Sequence, residues 1–317
     1  KAALSAALVA KLKIKTFAEC EAATLETKKP SYKSNKTAVL WRTCFDTYVN
    51  PKLGKRPIGE IDATEIAAAL EPIWRTKYPT AKKTRQWISA VFDYAKAKKL
   101  RTGDNPAEWK GCLEPLLGKP RHKVKHYPSL PYPRMAEFMA DLRRSSGVSA
   151  RALEFAILTV ARSDEVRSAT WDEFDLKKRV WSIPGERMKR EVDHRVPLSD
   201  AAIKLLKKQP HGEEDIYPFA NTNGNPLSDM IMSKLIKDMH VANVKIDGQG
   251  YFDPKYDKVA VPHGFRSSFK DWARNLTKYA DEVSELALAH INSDETRAAY
   301  ARDELLGLRR PMMQKWA

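Results

Sequence analysis

Cysteine is scarce in this chain. Its three cysteines, Cys20, Cys44 and Cys112, are odd in number and far apart, which excludes a disulfide framework and a cysteine metal cluster and fits a reducing, cytoplasmic setting. Long apolar runs are missing as well, since nothing approaches the roughly 20 residues that span a bilayer. The opening KAALSAALVAK has a short apolar run, no A-x-A site and KLKIK behind it, so residues 1–14 read as a helix or linker remnant rather than a signal peptide. The chain does not open on Met, and material upstream of it is expected. No glycine-rich phosphate loop and no internal repeat is found. Acidic residues are in deficit, with 40 Asp+Glu against 56 Lys+Arg and a net charge of +16. That surplus points to a polyanionic partner, nucleic acid first and an anionic membrane surface second.

A length of 317 residues allows about two domains, and 43% hydrophobic content is enough for a core in each. Residues 1–110 hold 22 Lys+Arg and 11 Asp+Glu, so +11 of the surplus lies there and +5 in the rest. This region reads as helices. Thr16-x-x-Glu19 and Asp62-x-x-Glu65 are capping-box signals, and Trp87, Val91, Tyr94 and Ala95 recur at helical spacing. Lys82, Lys83 and Arg85 fall where the last long helix is expected to begin, and cations there oppose the helix dipole. DNA phosphate would relieve that conflict, although a solvated charged face accounts equally well for any one of them.

Residues 115–133, PLLGKPRHKVKHYPSLPYP, carry five prolines and a basic run. Prolines exclude a continuous helix, so a domain boundary is expected here, and an extended basic linker bearing Lys119, Arg121 and Lys123 can track a nucleic-acid backbone. Beyond it, helical patterns at about 134–145 and 149–161 lead into ARSDEVRSATWDEFDL. Residues 179–183 and 194–198 read as short strands joined by the polar loop PGERMKREVD. Helices are expected at about 199–208, 226–242, 263–278, 282–290 and 295–306. The predicted fold class is mainly α: an all-helical domain over 15–112, a basic Pro-rich linker over 113–132, and a mixed, mainly helical domain with a small antiparallel sheet over 133–317.

Four pieces of the second domain offer chemistry: Arg162 in ARSDEVR, Lys189 in the hairpin loop, His263 and Arg266 in HGFR, and His290 with Tyr300 in HINSDETRAAYARDELLGLRR. Each taken singly also fits a plain structural role. Arg162 and Lys189 read as surface cations, HxxR recurs by chance, His290 closes an apolar LALA run, and Tyr300 suits an amphipathic helix. Their combination is more informative. A phosphodiester is anionic and gains negative charge on attack, and two guanidinium forks from separate segments match such a planar target. Imidazoles can donate to it or accept a proton, and a lysine can protonate a departing oxygen. Tyrosine, with a pKa near 10, attacks only where cations stabilise its phenolate.

The ordered motifs ARSDEV, RMKREVDHRVPLS, HGFRSSFKDWA, LALAH and AYARDELLGLRRPMMQKWA resemble the catalytic domain of the tyrosine recombinases, or phage-type integrases, in the branch found in genomic islands and prophages. NPAEW and HYPSLPY resemble that branch's core-binding domain and linker, so the likeness covers essentially the whole chain. It implies that Arg162 and Arg266 clamp a scissile phosphate and that Lys189 is the general acid on a mobile hairpin loop. It further implies that His263 assists proton transfer, that His290 contacts the phosphate and that Tyr300 is the nucleophile. Glu165 matches a supporting acidic position. Asp164 departs from the small residue usual there, and the arm-site-binding domain usual in this branch is expected upstream of the chain.

The expectation is a bacterial, cytoplasmic, nucleoid-associated enzyme that integrates or excises a mobile element at double-stranded DNA attachment sites, with a helical domain and a catalytic domain clamping the duplex. The resemblance implies a homotetramer on DNA acting through a Holliday junction, a DNA-bending accessory protein and a directionality factor, and neither metal, cofactor nor membrane. A type IB topoisomerase-like strand transferase uses similar side chains and is the first rival. A non-catalytic DNA-binding regulator, suggested by the bare charge, is the second.

Overall fold

Thr16 starts the first helix, α1 (Phe17–Lys28), by a reciprocal exchange: its hydroxyl accepts the Glu19 amide, and the Glu19 carboxylate accepts the Thr16 amide at 2.8 Å. After Ser34 caps α2 (Asn35–Cys44), the chain continues through a wider turn at Phe45–Val49 to a last turn at Asn50–Leu53. Asp62 and Glu65 repeat the capping box at α3 (Ala63–Trp74), and α4 (Tyr78–Ala97) follows. A computed structural model describes residues 15–121, 126–188, 191–290 and 304–317, and the chain divides into two compact units between Val124 and Lys125.

The first unit closes over aromatic residues. Trp41 stacks on Phe45 with ring centroids 5.1 Å apart, and Phe17 packs on both Phe45 and Phe92. Trp41 Nε1 donates to buried Glu21 at 2.5 Å. Burial raises the Glu21 carboxyl, and the indole donor partly opposes that rise. Leu113 and Leu117 are buried in the same core, and Trp74 Nε1 donates to the Gly118 carbonyl at 2.8 Å. The upstream end of the expected 113–132 linker is therefore built into this unit.

In the second unit, α5 (Met135–Arg144) and α6 (Val148–Thr159) come first. α6 is buried on nearly every side, as expected of a helix apolar all round, and its one deeply buried charge, Glu154, pairs with Arg143 at 2.8 Å and Arg151 at 2.6 Å. The short α7 (Ser163–Arg167) leads to the antiparallel strands β1 (Phe174–Asp175), β2 (Val180–Ile183) and β3 (His194–Pro197), in spatial order β1-β2-β3. Trp181 lies opposite Phe174 on one side and Val196 on the other, facing Phe155 of α6. The remaining elements are α8 (Asp200–Leu206), α9 (Ile231–Asp247), the two-residue strands β4 (Phe252–Asp253) and β5 (Lys258–Val259), α10 (Gly264–Leu276), α11 (Asp281–Ala287) and α12 (Leu306–Trp316).

The mainly helical fold with a small antiparallel sheet agrees with the sequence reading, and three details differ. The helix expected at 226–242 begins at Ile231 and runs to Asp247, because NTNGNP shapes a turn in which Asn221 Oδ1 accepts the Asn223 and Asn225 amides. The sheet has a third strand, and a second ribbon, β4-β5, is present; both additions are only two residues long, too short for an alternation signal. Most of the helix expected at 295–306 lies outside the described residues. Among the described residues, no helix is long and apolar enough to cross a membrane.

Candidate active site

α6 ends abruptly at Val160, which adopts a left-handed conformation, φ 51°, that a β-branched residue rarely takes. The reversal frees the Val160 carbonyl and places Arg162 at the start of α7. There the Glu165 carboxylate accepts the Arg162 amide and its Nη1, both at 2.7 Å. One edge of the Arg162 guanidinium is thereby fixed, and the side chain stays about a quarter exposed. Glu165 is buried.

Arg266, on the first turn of α10, is 6% exposed. Its Nη1 donates to the Val160 carbonyl and its Nη2 to the Leu288 carbonyl after α11, so one guanidinium joins three elements. Nη2 also lies 3.5 Å from His290 Nε2. No carboxylate pairs with Arg266 among the described residues; burial, and then the charge of Arg162, lower it to about 10. It remains protonated at neutral pH, a buried cation with donors to spare.

His263 precedes α10. Burial of its ring, with the charges of Arg266, Arg162 and His290, lowers its pKa, so it is neutral at pH 7 and able to accept a proton. His290 is held from behind: its Nδ1 donates to Glu285 Oε2 at 2.8 Å, which turns Nε2 towards the Arg266 guanidinium. Glu285 is in turn bound by Lys270, whose Nζ also donates to Asp281 at 2.9 Å and Ser284 at 2.8 Å. Burial alone would raise the Glu285 carboxyl, but the Lys270 and His290 hydrogen bonds outweigh it and hold the group below its ordinary value.

Four of the six catalytic candidates, Arg162, His263, Arg266 and His290, thus lie close enough for their charges to act on one another, with Glu165 held against Arg162. Lys189 and Tyr300 lie outside the described residues, as does Lys123 of the linker. The base of the loop carrying Lys189 is nevertheless anchored: Arg187 Nη2 donates to the Glu165 carbonyl at 2.5 Å and to Ser168 Oγ at 3.1 Å, and Met188 is buried. The other DNA candidates divide. Lys82, Lys83, Lys119 and Arg121 are exposed, with Lys83 5.4 Å from the Trp87 ring. Arg85 is half-buried and donates to the Ala107 carbonyl at 2.8 Å, which makes it a brace for the loop after α4 rather than a free surface cation. α4 begins at Tyr78, one turn earlier than those cations were expected to mark.

Sequence reasoning missed Glu285, Lys270 and His194. Lys270 lies four residues after Arg266 and Glu285 five before His290, spacings that put them near the site only once α10 and α11 pack together. His194 opens β3. Burial first, then the charges of Arg309, Arg162 and Arg266, push its imidazole down to about 3, so it is neutral. Among the described residues, no group of three or more His, Cys, Asp or Glu is placed to hold a metal ion.

Residues 17–112 match the phage integrase central domain, and residues 132–305 match the phage integrase family. Prophage integrase IntA of Escherichia coli (strain K12) is 31% identical over 296 residues, which are 92% of this chain and 66% of that protein. The integrase of Enterobacteria phage P4 is 30% identical over 292 residues, 86% of this chain and 62% of that one. The chain thus spans slightly under two thirds of the length of these relatives. Among solved structures, a lambda integrase tetramer bound to a Holliday junction superposes with a TM-score of 0.67 at 17% identity, covering 91% of this chain and 81% of that one. The Tn1549 transposon integrase in complex with transposon right end DNA superposes at 0.66 and 13% identity, covering 95% and 99%.

Proposed function

This chain belongs to the phage integrase family, and from that premise we propose that it is a site-specific DNA recombinase that integrates or excises a mobile element by tyrosine attack on DNA phosphodiesters. The observation that carries the reading is the buried Arg266, which has no carboxylate partner among the described residues, beside Arg162, His263 and His290. Such a cation is costly to bury unless an anion completes it, and a phosphodiester supplies one charge and two non-bridging oxygens. Glu165 and the Val160 and Leu288 carbonyls hold part of each fork in place, and the remaining donors of Arg162 and Arg266 are oriented before the phosphate arrives.

In this mechanism the Tyr300 hydroxyl attacks phosphorus. Its proton passes to neutral His263 as the bond to the 5′-oxygen breaks, and Lys189 protonates that leaving oxygen. The products are a 3′-phosphotyrosyl linkage and a free 5′-hydroxyl. A 5′-hydroxyl from the partner duplex reverses the step, so one ester replaces another and no energy source is consumed. Negative charge gathering on the non-bridging oxygens is met by Arg162, Arg266 and His290. Four protomers would complete exchange through a Holliday junction, as the lambda integrase tetramer named above is bound to one. A DNA-bending accessory protein and a directionality factor belong to the same proposal, as does division of labour between the helical unit and the catalytic unit on one duplex.

The test is a suicide duplex carrying the core site from the end of the mobile element that encodes the chain. Wild type is expected to leave a denaturant-resistant protein–DNA adduct, and Tyr300→Phe none. Equal adduct from both would remove Tyr300 as the nucleophile. Joining of two duplexes, rather than relaxation of one supercoiled plasmid, separates a recombinase from a topoisomerase-like enzyme.

A further inference from the structure

The motif HYPSLPY, residues 126–132, was expected to be linker, yet most of it is built against the HGFR segment. The Pro128 carbonyl accepts the Val261 amide at 3.2 Å. The Ser129 amide donates to Asp253 Oδ2 at 2.8 Å, and Ser268 Oγ donates to the Leu130 carbonyl, while Leu130 itself is fully buried. Between these anchors the strap runs so close to α10 that a Cβ on Gly264 would lie 1.9 Å from the Pro128 carbonyl oxygen. Glycine is needed at 264 for this approach, not for an unusual backbone angle. The consequence falls one residue earlier, where the Tyr127 ring meets the His263 ring, centroids 4.6 Å apart and planes inclined at 60°.

We propose that Tyr127 is a positioning residue for His263, the strap at 126–130 fixing the imidazole so that it can take a proton in the active site. The inference rests on the recombinase reading above. His263 stands before the first turn of α10, makes no side-chain cap there and, among the described residues, has no carboxylate of the kind that steadies His290. A stiff aromatic face, with only two side-chain torsions, is the restraint supplied instead. It also shields one side of the ring from water, in keeping with the downward shift of the His263 pKa. Tyr127 itself stays 61% exposed, so little of its area contributes to the core. Its contact with His263 is the feature that distinguishes it from a packing residue.

Two measurements on the full chain test this. Following the His263 ring resonance by NMR, identified by its loss in His263→Ala, Tyr127→Ala should remove the aromatic ring shift and raise the titration midpoint, and Tyr127→Phe should keep both. An unchanged His263 resonance in Tyr127→Ala overturns the proposal. In single-turnover cleavage of the suicide duplex, Tyr127→Ala should be slower by about tenfold, a part of what a general base contributes, with Phe restoring the rate. The loss should vanish in a His263→Ala background. If the same loss persists there, Tyr127 acts independently, for instance on DNA, and the positioning role is wrong. Should wild type form no adduct, the recombinase reading fails and the positioning role with it, while the NMR result still reports the ring contact.

Discussion

Arg266 performs two tasks with one group, and they can be separated. Its donors satisfy the Val160 and Leu288 carbonyls, and its charge awaits an anion. Arg266→Ala should leave both carbonyls unpaired, lowering stability by about 2–6 kcal/mol in urea denaturation, since each buried unpaired group costs about 1–3 kcal/mol. Arg266→Lys keeps the charge but not the fork, and should recover part of the stability while yielding little adduct. A second residue-scale consequence concerns His194. Its folded pKa of about 3 lies below the ordinary 6.5, so between those values the unfolded chain binds a proton that the folded chain refuses. Stability is therefore full above pH 6.5 and falls as pH drops towards 3, by at most about 1.4 kcal/mol per pH unit. Urea midpoints at pH 7 and pH 5 should differ less for His194→Gln than for wild type; an equal fall in both would remove His194 as the cause.

Helix α12 shows what an element adds. It docks on its own unit: Trp316 Nε1 donates to the Ile157 carbonyl at 2.8 Å, Gln314 Oε1 accepts the Asp200 amide at 2.9 Å, and Arg310 Nη2 donates to the Lys178 carbonyl at 2.9 Å. Met312 and Met313 are buried against Val160 and Phe269, in the same cluster that backs the bend before Arg162. Trp316→Ala should cost about 2–4 kcal/mol, at or just below the usual range for truncating a core aromatic because the indole is only partly buried. A melting temperature equal to wild type would mean that α12 is not docked in solution. Gly264→Ala is the corresponding test of the strap. Overpacking against the Pro128 carbonyl should destabilise by about 1–3 kcal/mol or more, although alanine is the better helix former.

At the scale of the whole molecule, charge governs. With +16 overall and +11 within residues 1–110, DNA affinity should fall steeply with salt, the slope of log affinity against log salt growing by about 0.9 for each phosphate neutralised. Replacing exposed Lys82 and Lys83 with alanine should reduce that slope by up to about 2. Arg85→Ala should instead lower the melting temperature, because its guanidinium braces the Ala107 carbonyl. A flat salt response, measured by fluorescence anisotropy on a core-site duplex, would exclude the basic helical unit from DNA binding.

Local signals were legible in the sequence where their causes are local. A capping box needs residues three apart, so Thr16–Glu19 and Asp62–Glu65 could be read directly, and helical periodicity located α5, α6 and α10 within a few residues. Net charge is a sum and needs no fold. Two-residue strands carry no period, and the ends of the 113–132 stretch are claimed by the two units through contacts with partners far along the chain, such as Trp74 with Gly118 and Asp253 with Ser129. The candidate site divides in the same way. Its residue types and order could be read as a pattern, and resemblance gave each a role. That Arg266 joins Val160 to Leu288, that Glu285 aims His290, that Arg85 braces a loop and that Tyr127 faces His263 were decided by tertiary structure alone, because distance in space between segments far apart in the chain is set by packing and leaves no mark on any one of them.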